Sequence, residues 1–127
     1  MARKAIVSPK ATSVGPYSHG IDSDGLIFLS GQTPIDSTTG KIIEGDIKAQ
    51  TQQCFNNLFD VLEAAGLSQN DVQKVNVFLT DMNDFPAMNE VYKNQFSAPY
   101  PARSTIGVAS LPLAAKVEIE LIARRRG

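Results

Sequence analysis

Apolar and polar residues change period several times along this 127-residue chain, and each change marks an element boundary. From Ile47 onward, Ile47, Thr51, Cys54, Phe55, Leu58, Val61, Leu62 and Ala65 recur at three- and four-residue intervals, the spacing of one helical face. Asp46 just ahead of them suits an N-cap, and Gly66 just after them suits a stop. A second stripe, Phe85, Met88, Val91, Tyr92 and Phe96, opens where Asp84 can cap and Pro86 sits in the first turn; "APYP" at 98–101 then breaks it. Between the two, "DVQKVNVFLT" at 71–80 is rich in β-branched and aromatic residues and reads as a strand. Further strands are expected near residues 4–8, on both sides of the Asp24-Gly25 hairpin signal in "HGIDSDGLIFLSG", and at about 103–109 and 116–122. "TTGKII" at 38–43 suggests one more turn. The order β-β-β-α-β-α-β-β predicts an α+β domain spanning 1–127, with one mixed sheet and both helices on one face.

Alternation along the strands then assigns side chains to faces. Val75, Val77 and Leu79, Ile106 and Val108, and Val117, Ile119 and Leu121 are the natural partners of the helices. The opposite face receives Asn76, Phe78, Arg103, Thr105, Glu118 and Glu120, so Arg103 and Glu120 are expected to share a face that no helix of the chain covers. Solvent could face it, but Phe78 and the small residues Gly107 and Ala109 fit a wet surface poorly. A second copy covering this face predicts a homo-oligomer.

Composition narrows the function classes. The chain is 43% apolar and 20% charged, with a formal net charge of −1. That is the profile of a globular protein without a broad field for nucleic acid. "RRR" at 124–126 is the one locally basic run, and it reads as a solvated tail. No apolar run approaches a membrane span, and "MARKAIVS" does not look like a signal peptide, so a cytoplasmic protein is expected. One cysteine, Cys54, excludes an internal disulfide, and with one histidine, His19, it leaves no zinc cluster. Cys54 is expected in the core and His19 in a structural role. "SGQTPIDSTTG" has neither P-loop nor dinucleotide-binding spacing.

The residues also resemble a known family. "GPYSHG" at 15–20, "LSGQTP" at 29–34, "NVFLTDMNDFPAMNEVY" at 76–92, "PYPARSTIGVASLP" at 99–112 and "VEIELIA" at 117–123 look like the RidA/YjgF family, the reactive-intermediate (2-iminoacid) deaminases, in the same order and nearly end to end. The resemblance implies a chorismate-mutase-like α+β fold and a homotrimer whose sheets form a central β-barrel. It also implies active sites between subunits. The implied reaction is hydrolysis of 2-iminobutanoate and 2-iminopropanoate to 2-ketoacids and ammonia, with no cofactor and no metal.

Each matching residue has a chemical role under that resemblance. Arg103, in "PARS", corresponds to the substrate-binding arginine, whose planar fork can take both oxygens of a carboxylate as lysine cannot; its alternative is an ion pair with Glu118 or Glu120. The backbone N–H of Gly31 corresponds to a second carboxylate contact, although a tight turn alone would also select glycine there. Glu120 corresponds to a water-positioning glutamate. The backbone carbonyl of Thr105 would accept from the imine nitrogen or the water. Many relatives carry cysteine there, and threonine excludes a thiol nucleophile at that position. Tyr17 and Ser30 correspond to pocket-lining residues and Asn89 to an amide near the carboxylate. Tyr17 could instead be an interface aromatic, Ser30 a hydroxyl closing a strand end, and Asn89 an exposed helix residue. Two other classes remain open: a non-catalytic trimer that binds small carboxylates, and a ribonuclease or translation inhibitor, which the weak charge disfavours.

Overall fold

The computed structural model describes residues 3–10 and 15–126. Its elements are β1 (Lys4–Ile6), β2 (Gly20–Ser23), β3 (Leu26–Gln32), α1 (Ile47–Ala64), β4 (Val72–Leu79), α2 (Phe85–Lys93), β5 (Ala102–Gly107) and β6 (Val117–Arg124), in the expected order. The strands form one six-stranded sheet, β1-β2-β3-β6-β4-β5. β4 and β5 are parallel, joined by the α2 crossover, and the other pairings are antiparallel.

Local chemistry explains most boundaries. Asp24 (φ 52°) and Gly25 (φ 90°) form the β2–β3 turn in the left-handed region that Asp and Gly tolerate. The side chain of Asp46 accepts the Ala49 N–H and starts α1; Gly66, at φ 75°, follows its end. Asp84 precedes α2 without a side-chain capping bond, and the cap function shifts to Asp81, which accepts the Asn83 N–H in the 3-10 turn ahead of the helix. The "TTGKII" turn closes through an Ile35–Ile42 bridge.

Both helices pack on one face of the sheet. Phe55, Leu58, Val61 and Leu62 of α1 meet Val75, Val77, Leu79, Val117, Ile119, Leu121 and Ile27, all at most 1% exposed. Cys54 belongs to this core, where burial pushes its thiol pKa well up. The basic run is solvent-exposed, as expected, but it is anchored and not a free tail. Arg124 is paired in β6. Arg125 donates from Nη1 to the Ala65 carbonyl at the end of α1 (2.7 Å) and from Nη2 to Asp22 (3.0 Å), and Arg126 pairs with buried Asp71 at 2.9 Å. Carbonyls left free at a helix C-terminus attract cations, which accounts for the Arg125–Ala65 contact.

The register overturns the face assigned to β5. Arg103 lies opposite Val75 and Thr105 opposite Val77, so both point to the helix side, whereas Glu120 lies opposite Asn76 and Glu118 opposite Phe78 on the other side. Ile106, opposite Phe78, is 50% exposed. An apolar-inward rule misreads this edge strand because α2 presents aromatic rings and an amide above it, which accommodate a guanidinium.

Candidate active site

The sheet separates the expected site residues into two groups, one on each face. On the helix face, β5 carries Arg103 beneath α2. Its Nη1 donates to Asn89 Oδ1 at 2.7 Å, and its guanidinium carbon lies 4.5 Å from the centre of the Tyr92 ring and 5.5 Å from that of Phe85. A cation over aromatic faces is stabilised by the ring quadrupoles, and a planar one also stacks. Asn89, Tyr92, Tyr100 and Arg103 line an open cleft of about 410 Å³. Among the described residues no carboxylate pairs with Arg103, which removes the ion pair with Glu118 or Glu120 as its explanation within one chain. Two hydroxyls of this region, Tyr92 Oη and Thr105 Oγ1, are buried without a hydrogen-bond partner. Burial raises the Tyr92 pKa, and Arg103 partly offsets this.

On the other face a second open cleft, of about 500 Å³, is lined by Tyr17, Ser30, Gly31, Leu113, Glu118 and Glu120. Its centre is a break in the β3–β6 ladder. Leu29 pairs with Leu121 and Gln32 with Ile119, so Ser30 and Gly31 together oppose Glu120. Such a bulge takes backbone groups out of the ladder and re-aims side chains, a common feature beside functional sites. Gly31 therefore sits in a bulged strand and not in a tight turn. A Cβ there would fall 2.7 Å from Glu118 Oε2, so glycine is what lets that carboxylate lie against the backbone.

The two glutamates have different surroundings. Glu120 accepts a hydrogen bond from Asn76 Nδ2 at 3.0 Å. Glu118 is half-buried, and its pKa is pushed up first by burial and then by the charge of Glu120. Ser30 donates from its hydroxyl to the Ser18 carbonyl (2.6 Å) and from its N–H to the His19 carbonyl (3.0 Å), tying the loop that carries Tyr17 to β3. His19 is buried, with Nδ1 accepting the Ser8 N–H at 3.3 Å, in keeping with a structural role. Tyr17 is 46% exposed. One chain thus brings Arg103 together with Asn89 and Thr105, and Tyr17 together with Ser30, Gly31 and Glu120, but does not join the two groups. Sequence reasoning passed over Tyr92 because it belongs to an apolar stripe and Asn76 because alternation gave it only a face, and it weighed Glu118 only as an ion-pair partner for Arg103.

Among the described residues no group of three His, Cys, Asp or Glu side chains could hold a metal, and no helix is long and apolar enough to cross a membrane.

The fold is a mixed α+β domain, a six-stranded sheet with two helices on one face and an open cleft on each side. The family model described as Endoribonuclease L-PSP matches residues 7–125, and the chain belongs to this family, the YjgF/RidA proteins. It is 52% identical over 110 residues to a RutC family protein of Pyrococcus horikoshii, covering 87% of each chain. It is 46% identical over 124 residues to a Dermatophagoides farinae protein named 2-iminobutanoate/2-iminopropanoate deaminase, covering 96% of this chain and 97% of that one. Among solved structures, E. coli TdcF with bound serine matches with a TM-score of 0.91 at 42% identity, covering 97% of this chain and 99% of that one.

Proposed function

We propose that this protein hydrolyses 2-iminoacids such as 2-iminobutanoate and 2-iminopropanoate to 2-ketoacids and ammonia, at a site completed by two copies of the chain. The observation that carries the reading is Arg103: a half-buried guanidinium, fixed by Asn89 and Tyr92, that opens on a cleft with no carboxylate among the described residues paired with it. An anionic ligand satisfies that arrangement, and a planar fork favours a carboxylate.

A second copy supplies the rest. The face away from the helices exposes Phe28 (42%) next to Ile122 and, further along the sheet, Ile106 (50%) next to Phe78, two apolar spots suited to association. A homotrimer with its sheets turned inward as a central barrel sets the Arg103 edge of one subunit against the Tyr17–Gly31–Glu120 cleft of the next. In that site Arg103 and the Gly31 N–H hold the carboxylate, while Tyr17 and Ser30 line the side-chain end and Asn89 steadies Arg103. Glu120, held by Asn76, accepts a proton from water as its oxygen bonds to C2. The Thr105 carbonyl orients the nitrogen or the attacking water. Glu120 then returns its proton to the nitrogen, and the carbinolamine collapses with C–N cleavage as its hydroxyl proton passes to the departing ammonia, so that iminium and water become ketone and ammonium and Glu120 is again ionised. The chemistry makes modest demands, because imines hydrolyse in water unaided and positioning supplies much of the gain. No cofactor takes part in these steps.

The same carboxylate site without turnover is the second reading, favoured by a relative solved with bound serine. The family model's description raises RNA cleavage, but a net charge of −1 gives a polyanion little to bind. The deciding experiment generates 2-iminobutanoate in situ with a threonine dehydratase and traps the remainder with semicarbazide, for wild type and Arg103→Ala. Faster 2-ketobutanoate formation with wild type alone supports the deaminase. Binding of carboxylates with no acceleration supports the binder, and RNA cleavage that survives Arg103→Ala places function elsewhere.

A further inference from the structure

The cleft that holds Arg103 carries a second positive charge. Asn89 and Lys93 stand four residues apart on α2, so both side chains fall on one face of the helix, and both line this cleft together with Arg103 of β5. Among the described residues no acidic side chain lines it. We propose that the cleft binds a dicarboxylate, one carboxylate on the free N–H edge of Arg103 and the other on Lys93 Nζ and the Tyr100 hydroxyl, so that dicarboxylates compete with the iminoacid for Arg103. The inference rests on the reading of Arg103 as a carboxylate site and does not require turnover.

The local uses for a lysine at this position are taken by other groups. Glu90, one helical turn back, is held by Lys48 of α1 at 2.6 Å. The hydrogen bond and charge of Lys48 are the main causes that lower the Glu90 pKa, with Lys93 the smallest. The carbonyls at the end of α2 do not need the ammonium either. Val91 O accepts from the Asn94 N–H and from Gln95 Nε2, and Tyr92 O accepts the Gln95 N–H. Lys93 therefore has no ion-pair partner among the described residues, and neither has Arg103. Two cations in one cleft without a carboxylate raise the local concentration of anions.

The placement of the two charges selects the ligand. They come from separate elements, a strand and a helix, and so match two negative charges held apart by a short chain. Arg103, fixed by Asn89 and Tyr92, offers a rigid edge to the first carboxylate, while the flexible stem of Lys93 adapts to the position of the second. A cleft of about 410 Å³ has room for a five-carbon diacid. Tyr100, 53% exposed, can turn its hydroxyl to the distal end. The gain over a monocarboxylate is one charge-assisted contact in a partly wet setting, about five- to tenfold in affinity.

The test compares glutarate, butanoate and sulfate, a compact dianion, by isothermal titration calorimetry of the full chain at neutral pH and low salt. Wild type is expected to bind glutarate about five- to tenfold tighter than butanoate, an advantage that shrinks as sodium chloride is added. Lys93→Gln is expected to level the two affinities and Lys93→Arg to keep most of the difference, a rescue that a merely structural lysine would not show. A wild type that does not prefer glutarate, a preference that survives Lys93→Gln, or sulfate binding as tightly as glutarate overturns the dicarboxylate site. In each case butanoate binding that is lost in Arg103→Ala leaves the reading of Arg103 intact. Absence of binding by either carboxylate overturns both. The wild-type preference and its salt dependence stand on their own if a variant misfolds.

Discussion

Replacing Arg103 by lysine separates charge from geometry. In the structure Nη1 is committed to Asn89 at 2.7 Å and the guanidinium plane rests on Tyr92, which leaves the remaining N–H edge for a ligand. Lysine keeps the charge but concentrates its donors at one point, so it cannot hold Asn89 and still offer two parallel bonds to a carboxylate. The loss amounts to one charge-assisted hydrogen bond, about 1.5–3 kcal/mol, or about 10- to 150-fold in kcat/KM at ~1.4 kcal/mol per tenfold. Arg103→Ala removes the charge as well and should cost about 2–5 kcal/mol, roughly 30-fold to several-thousand-fold. The semicarbazide-competition assay, run over a range of iminoacid supply, gives kcat/KM for both variants. Asn89→Ala should be milder than Arg103→Lys and add little in the lysine background, because both act on one contact network. Arg103→Lys within threefold of wild type, or full additivity with Asn89→Ala, would refute bidentate binding by a guanidinium that Asn89 holds in place.

Gly31→Ala places a methyl 2.7 Å from Glu118 Oε2, and the flexible carboxylate end must swing into the cleft; KM should rise while the thermal midpoint is held, and an unchanged KM would show the contact to be idle. Burial holds the folded-state pKa of Glu118 above its ordinary value of 4.5. The unfolded chain then binds fewer protons between the two values, so stability falls as pH rises through that range, and the loss stays constant above it. Glu118→Gln should therefore raise urea stability at pH 8 and leave it unchanged near pH 3. Arg125→Ala removes the bonds to Ala65 and Asp22, and after allowance for its exposure should cost about 1–2 kcal/mol. Lys10→Ala, which breaks an exposed 3.6 Å pair, should stay within about 0.5 kcal/mol of wild type in the same melts. Cys54 should resist thiol reagents in the native state at pH 8 and react on unfolding; fast native labelling would contradict its burial.

Helix α1 was legible in the chain because its apolar spacing, Asp46 cap and Gly66 stop all agree, and the Asp24-Gly25 hairpin because positive φ has few residue choices. Strand β5 was legible as a strand but not in orientation. Edge-strand alternation predicts faces only if apolar residues point to the helices, and here Arg103 lies under Tyr92 while Ile106 is left outward. The Ser30–Gly31 bulge left a trace, a glycine within a strand, but its reason is the Glu118 carboxylate across the ladder, a contact set by register. Asn89 and Arg103 were both named from the family resemblance, whereas their direct hydrogen bond depends on how the crossover seats α2 over β5. The exposure of the arginines at 124–126 was legible, but the partners of Arg125 and Arg126 were not, because they depend on where the end of α1 and Asp71 lie beside β6.

A sheet with Arg103 on one face and the Gly31–Glu120 cleft on the other makes each proposed site the joint property of two copies. Two inactive chains, one lacking Arg103 and one lacking Glu120, still hold complementary halves, so coexpression should regenerate some working clefts. On that reading, dilution that separates the copies would silence the proposed site by parting its two halves.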